Sequence, residues 1–398
     1  VRQLIIFTLI GFTFAFAGES RFGLVTNSLG KLDTHYGAAG SGRNFSIALR
    51  DSLQINFRNF STSTDISRAT FTINAGYNAI WGDNNISKNF IDDANFSGAF
   101  LGIPLMEKKM SLVASVTPYT SLEQRIENRT TFEGQPVVEN LVVRGGIART
   151  NLNLAYKFSD QLSVAAGYEF TFGRISEDIV YDIEDDLDSQ VEFSYDNQVR
   201  GQGILLSAYY RPFDRLHLGF AVRPPVLGTF SRMGNTGSNE LDLEKEVDLL
   251  LPAEYSLGLV YELSEFYALG TDMIYQGWKK GYELDNQSVS NHNDYFRLGV
   301  GLERKATDRR FVNYGEQISY RAGLYYSALA QTFNNKTVNE YGFSVGVSLP
   351  VQRFRSKVDI ALIAGRRGDA GAVGLEETFL GIGFSISANE TWFVNIED

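Results

Sequence analysis

From about Ala69 to Ile386 the chain alternates apolar and polar residues in segments of roughly ten, joined by connections that run short, then long, then short. The pattern is clearest where Leu162, Val164, Ala166, Tyr168, Phe170 and Phe172 interleave with Ser163, Ala165, Gly167, Glu169, Thr171 and Gly173. A strand of period two shows one set of side chains to each face, and about ten residues of tilted strand cross a bilayer. Segments near 69-81, 94-104, 110-119, 146-157, 162-181, 191-211, 215-223, 253-262, 267-283, 294-305, 317-327, 338-350, 357-367 and 376-387 predict about fourteen strands, an even number as single-chain bacterial barrels require. The fold class expected is all-β, a membrane-spanning antiparallel barrel over 69-398.

The connections sort by length. Turns at Glu107-Lys108-Lys109, Ser159-Asp160-Gln161, Pro212-Phe213-Asp214 and Ser264-Glu265 are short and belong on the periplasmic side, with the charged stretch 306-316. Polar loops at 120-145, 182-190, 224-252 and 284-293 belong outside. Within the strands, Tyr255, Leu257, Leu259, Tyr261 and Leu263 are expected to face lipid, as are Tyr341, Phe343, Val345, Val347 and Leu349. A basic residue on the lipid face near the midplane costs about 2 to 4 kcal/mol. Arg149, Lys157, Glu169, Asp272, Arg297, Glu303, Arg321 and Asp359 are therefore expected inside, where their mixed signs suggest pairing across the lumen.

Two features precede the rhythm. Arg2, the apolar run Leu4 to Phe14 and Ala15-Phe16-Ala17 before Gly18 have the form of a secretory signal peptide over 1-17. That leaves about 380 residues with no linker to divide them, so one large barrel is expected in the outer membrane of a bacterium. Residues 18-68, rich in Gly, Ser and Asn, do not alternate. Folding into the lumen as a plug is one destination for them; a periplasmic tail or a short strand pair near Phe45 to Phe60 is the other.

Composition narrows the chemistry. With no cysteine there is no disulfide framework and no thiolate site, and a formal charge of -11 argues against nucleic acid as partner. Of three histidines, His35, His217 and His292, only His292 beside Asn291, Asn293 and Asp294 has the position of a barrel-enzyme base, and a solvated loop histidine is the plainer reading. The acidic run Asp182, Glu184, Asp185, Asp186 and Asp188 lacks the Gly and Glu of an EF-hand loop; loose divalent bridging to lipopolysaccharide, or solubility alone, suits it better. No enzyme activity, cofactor or metal is expected. Pro118 removes a ladder donor near Gly145-Gly146, which marks either a local break in the wall or the end of a strand.

Two stretches resemble the FadL/TodX family of outer-membrane transporters for long-chain fatty acids and other hydrophobic compounds. One is Leu251-Pro252-Ala253-Glu254-Tyr255-Ser256-Leu257-Gly258-Leu259-Val260-Tyr261, followed by Thr271-Asp272-Met273-Ile274-Tyr275-Gln276-Gly277-Trp278. The other is Ala48 to Phe60, similar to the family's hatch segment, in which Asn56, Phe57, Asn59 and Phe60 stand at the key positions and Phe60 replaces the usual Pro. Tyr320-Arg321-Ala322-Gly323-Leu324 and Val358-Asp359-Ile360 are similar to members from Bacteroidetes-type bacteria. The resemblance implies a fourteen-stranded barrel with an N-terminal hatch, ligand captured between outer loops and released sideways into the membrane.

An apolar outer loop is a separate pointer to hydrophobic cargo. Val226, Leu227, Phe230, Met233, Leu249, Leu250 and Leu251 lie where a porin loop is polar, and form either a ligand-binding groove or a cover for the barrel rim. The function expected is passive uptake of a hydrophobic small molecule by a monomer surrounded by outer-membrane lipid and lipopolysaccharide. The rivals are a docking or shuttle component of a protein secretion system, and a general porin.

Overall fold

The computed structural model describes residues 29–33, 37–85, 88–132, 135–183, 190–236, 239–307, 312–351 and 356–390. The proposed signal peptide, His35 and the acidic positions 184–188 lie outside the described residues.

Among the described residues nineteen strands join one sheet. They are β1 (Lys31–Leu32), β2 (Ala69–Asp83), β3 (Lys88–Met106), β4 (Met110–Phe132), β5 (Gln135–Lys157), β6 (Leu162–Ile183), β7 (Gln190–Phe213), β8 (Leu216–Arg223), β9 (Val226–Thr236) and β10 (Asn239–Leu251). The rest are β11 (Glu254–Glu262), β12 (Tyr267–Gln276), β13 (Glu283–Leu284), β14 (Gln287–Ser288), β15 (Tyr295–Arg304), β16 (Ser319–Phe333), β17 (Lys336–Val351), β18 (Ser356–Asp369) and β19 (Leu375–Glu390). Fourteen close a barrel, each antiparallel to its neighbours, with β19 pairing back onto β2 from Glu376↔Asp83 to Glu390↔Ala69. They correspond one to one with the fourteen strands expected; β1, β9, β10, β13 and β14 are additional.

Alternation decides the faces as expected. Tyr255, Leu257, Leu259 and Tyr261 are exposed while Ser256, Gly258 and Val260 between them are buried. The outward apolar belt runs from Leu162 to Phe172 on β6, eleven residues that rise roughly 25 Å when tilted.

Two expectations are corrected. The stretches 120-145 and 224-252 are largely strand, not loop, and the described residues 182, 183 and 190 of the stretch 182-190 are strand. β4 and β5 stay paired from Met110↔Tyr156 to Phe132↔Gln135 with one shift at Tyr119, and β6 and β7 stay in register from Leu162↔Tyr210 to Asp182↔Gln190. β9 and β10 form a hairpin whose first strand continues the sheet along β7, from Gln202↔Leu227 to Phe193↔Thr236. Above the belt the outward face meets water instead of lipid, so the apolar signal fades although the ladder persists. Second, the segment 267-283 ends as a strand at Gln276 and is followed by a helical turn, α2 (Trp278–Gly281).

Residues 37–65 lie inside the ring. α1 (Gly37–Arg43) packs on β15 to β19, and a 3-10 turn, Phe60–Asp65, packs on β4 to β7 at the opposite wall. Between them Phe45, Ile47, Ala48 and Asn59 are wholly buried. No strand forms between Phe45 and Phe60, so the strand pair considered for that stretch is not there.

Candidate functional site

Three features meet within the barrel: an interrupted wall, the inner segment and an apolar mouth. The wall breaks between β3 and β4. Their ladder runs from Met106↔Met110 up to Ala99↔Val116 and stops, while β3 continues to Lys88 and β4 to Phe132. Two local irregularities part the strands. β3 carries an extra residue at Ser97 opposite β2, beside Gly98 at φ +129°, and β4 bulges at Tyr119 directly after Pro118. Pro118 therefore neither ends its strand nor separates it from β5; its consequence lies on the β3 side. Above the break, β1 pairs with β4 at Lys31↔Ser121 and Leu32↔Thr120.

Behind the break the inner segment is tied to the wall by polar contacts. Asn56 accepts the backbone N–H of Arg58 at 3.0 Å and of Asn59 at 3.2 Å, and donates to the Ser46 carbonyl at 2.7 Å, which closes a compact loop. Asn59 caps the 3-10 turn by accepting the Ser61 N–H and donates to the carbonyls of Ile47 and Ala208, each at 2.9 Å. Phe60 occupies the first position of that turn, where a proline also fits. Its ring joins Phe57, stacked on Phe100 at 4.1 Å, and Ile55 in a buried cluster with Val113, Ala155 and Leu205. Asp272 accepts the N–H groups of Ser46 and Ile47 at 2.6 and 3.0 Å.

Buried charges are arranged as networks. Arg58 of the inner segment meets Glu254 at 3.0 Å; Glu254 also pairs with Arg223 and, at 3.6 Å, with Arg149. Glu169 closes the group through Arg149 at 3.2 Å and Arg223 at 2.9 Å. A second group joins Arg43 to Glu303 at 3.0 Å, with Arg321 bridging Glu303 and Asp359 at 2.7 and 3.1 Å. The expected inward charges are thus inside, but they pair along the wall and with the inner segment, not across an open lumen. Lys157 instead pairs with Asp160 at the periplasmic turn.

At the outer mouth Trp278, Tyr282, Tyr295, Tyr119, Leu29, Leu32, Leu329 and Val338 form a buried apolar cluster. It is joined to the ionic group through Gln276, which accepts the Trp278 indole N–H at 2.8 Å and donates to Glu254 at 2.8 Å. The seven apolar residues expected to form a groove are divided by the β9–β10 pleat. Val226, Leu249 and Leu251 are buried in this cluster, Phe230 packs against it, and Leu250 is half-buried. Leu227 and Met233 are exposed. His292 is not solvated as expected: it is 5 % exposed, stacked 5.9 Å from Trp278 and edge-on to Tyr282 at 5.1 Å. Burial lowers its pKa from the ordinary value. His217 sits at the other end of the wall, its Nδ1 against the Tyr209 hydroxyl at 2.5 Å.

A cavity of about 500 Å³ lies between Leu49–Leu53 and Glu303, Arg321 and Lys357, whereas those nearer the mouth and the break are small. One of about 80 Å³ is lined by Lys31, Asp93, Arg297, Glu340 and Arg367 among others. Another of about 40 Å³ lies at the break, between Phe57, Ser97, Thr117, Tyr119 and Arg149. Sites for small organic ligands start near about 300 Å³, so a guest must displace side chains to occupy either of these two. Tyr119, Gln276 and the Arg58–Glu254 contact escaped the sequence reading. The nearest signal was the pair of stretches carrying Glu254 and Trp278, where a buried carboxylate and an indole both need partners.

The family model described as BamG matches residues 43–221 and 226–397. Among solved structures, a FadL homologue from Pseudomonas aeruginosa is similar at TM-score 0.61 and 16 % identity, covering 90 % of this chain and 99 % of its own. The monoaromatic hydrocarbon channel CymD gives TM-score 0.56 at 15 % identity over 89 % and 98 % of the two chains. The toluene transporter TbuX from Ralstonia pickettii gives 0.55 at 13 % over 92 % and 100 %. No curated protein matches this chain in sequence. The fold is therefore that of the FadL/TodX outer-membrane channels, as the quoted stretches implied.

Proposed function

From a chain that belongs to the BamG family and folds as an outer-membrane barrel, we propose passive passage of hydrophobic small molecules, fatty acid-like or aromatic, with the inner segment as hatch. The observation that carries this reading is the β3–β4 ladder stopping at Ala99↔Val116 directly beside the inner segment. A cargo would enter by replacing side chains of the mouth cluster, gaining about 25 cal/mol per Å² of buried apolar surface. It would leave through the break into the membrane without crossing a polar periplasmic exit. The names of the similar structures, a hydrocarbon channel and a toluene transporter, support the cargo class.

The test has two arms. Planar bilayers containing the intact protein should conduct ions poorly, and deletion of residues 19–66 should raise conductance; an open pore in the intact protein removes the hatch. Vesicles carrying the protein should take up toluene or oleate faster than empty vesicles.

A second reading, a docking barrel for another polypeptide, is favoured by the sheet of β4–β7, β9 and β10 that continues beyond the belt. It predicts a stoichiometric protein partner on gentle purification and no gain in uptake.

A further inference from the structure

The outward face of β5, β6 and β7 carries a concavity of about 640 Å³ where the apolar belt ends. Its floor is Ala148, Phe170 and Phe172, the two rings stacked at 5.8 Å. Its upper side is Arg144, Arg174 and Arg200, with Ser176 and Gln198. The register places Phe172 opposite Arg200 and Ala148, and Arg174 opposite Gln198 and Gly146, so these side chains share the outward face. The inner face of the same strands, Val143, Ile147, Ile175 and Val199, belongs to the mouth cluster.

The hollow is left by a line of glycines in the sheet. Gly145 has φ +130°, and a Cβ there would lie 2.1 Å from the Arg174 carbonyl oxygen; at Gly173 it would lie 2.2 Å from that of Gly146. Side chains are excluded along this line, just above the lipid-facing rings.

We propose that this hollow binds a phosphate-bearing glycolipid of the outer leaflet, its phosphate on the three arginines and an acyl chain along Phe170 and Phe172. Charge supports this occupant. Arg144 meets Asp178 at 2.9 Å, and Arg174 meets Asp196 through Nε at 2.8 Å and through Nη2, which fixes both guanidiniums yet leaves several of their five N–H donors unused. Arg200 is exposed and makes no ion pair among the described residues. Guanidinium forks match phosphate oxygens, and the aromatic floor lies at the depth of acyl chains. The site does not depend on whether the barrel transports or docks.

The test is binding of fluorescent bisphosphorylated lipid A to the full protein in nanodiscs of phosphatidylethanolamine. R200Q, which breaks no ion pair, should weaken binding several-fold, and R144Q/R174Q/R200Q by about tenfold or more, as loss of charge-assisted hydrogen bonds implies. R200K should restore part of the loss, and F170A/F172A should weaken binding without altering phosphate dependence. Heat-modifiable migration checks that each barrel is folded. Unchanged affinity in the folded triple variant overturns the site. Equal binding of dephosphorylated lipid A overturns the role of the phosphate, and full competition by inorganic phosphate alone overturns the lipid.

Discussion

Two stretches of the same wall differ in what they do with their inner face. From β8 through β11, β12 and β15 to β16 the ladder is unbroken, and its inward positions include Gly219, Gly258, Gly299, Gly301 and Gly323. The inner segment's backbone lies directly on them: a Cβ at Gly301 would come 1.8 Å from the Arg43 carbonyl oxygen, and one at Gly219 2.3 Å from that of Ile47. From β3 to β4 the wall opens, and the lining is made of large side chains, Phe57, Tyr119, Arg149 and Arg58. One side braces the segment by backbone contact and by the Arg43–Glu303 and Arg58–Glu254 pairs, and the other meets it through side chains, with Phe57 stacked on Phe100 of β3. A segment fixed by backbone and ion pairs on one side and met only by side chains on the other is suited to moving at the break.

Removing the ionic hold should have the largest effect. Glu254→Ala leaves Arg58, Arg149 and Arg223 with Glu169 as the remaining carboxylate of the group. Breaking a buried pair from one side costs about 3 to 5 kcal/mol. Urea unfolding in lipid vesicles should show that loss, and protease should reach the inner segment faster. A variant as stable and as protected as wild type would mean that backbone contact alone holds the segment.

The braced side should respond next. Gly301→Ala forces a methyl into the Arg43 carbonyl and should cost about 1 to 3 kcal/mol by overpacking. Gly315→Ala, with nothing within 4 Å of its Cβ position, should stay within about 0.5 kcal/mol of wild type. Equal effects at both positions would remove the distinction between the two walls.

The same comparison marks what was legible in the sequence. Lipid on one face and a filled interior on the other impose strict alternation, which is why Tyr255 to Leu263 and Tyr341 to Leu349 could be assigned by inspection. Above the membrane that selection lapses. Glu123, Arg125 and Glu127 continue β4 in full register with β5, but their alternation separates no apolar from polar solvent. The seven apolar residues of 226-251 were grouped by position in a loop; once the loop is a hairpin, period two sends Val226 inward and Leu227 outward. The ionic group was hidden because its members come from β5, β6, β8, β11 and the inner segment, and only closure of the ring brings them together. Pro118 was visible as a disturbance, yet which neighbour would lose its ladder depended on the Ser97 bulge one strand away.

The smallest effect expected is at His292, above both walls. Burial among Trp278 and Tyr282 disfavours its charged form, so the folded protein binds this proton less readily than the unfolded chain, whose value is near 6.5. The His292 contribution to stability is therefore fully present above pH 6.5 and is lost as the pH falls from there through the folded-state value. Urea midpoints measured across that window should fall with acidification in wild type, and His292→Phe, which keeps a ring between Trp278 and Tyr282, should flatten this part of the profile. A slope unchanged by the substitution would assign the pH dependence to groups below the mouth, and would separate the aromatic cluster from the ionic hold that Gln276 links to it.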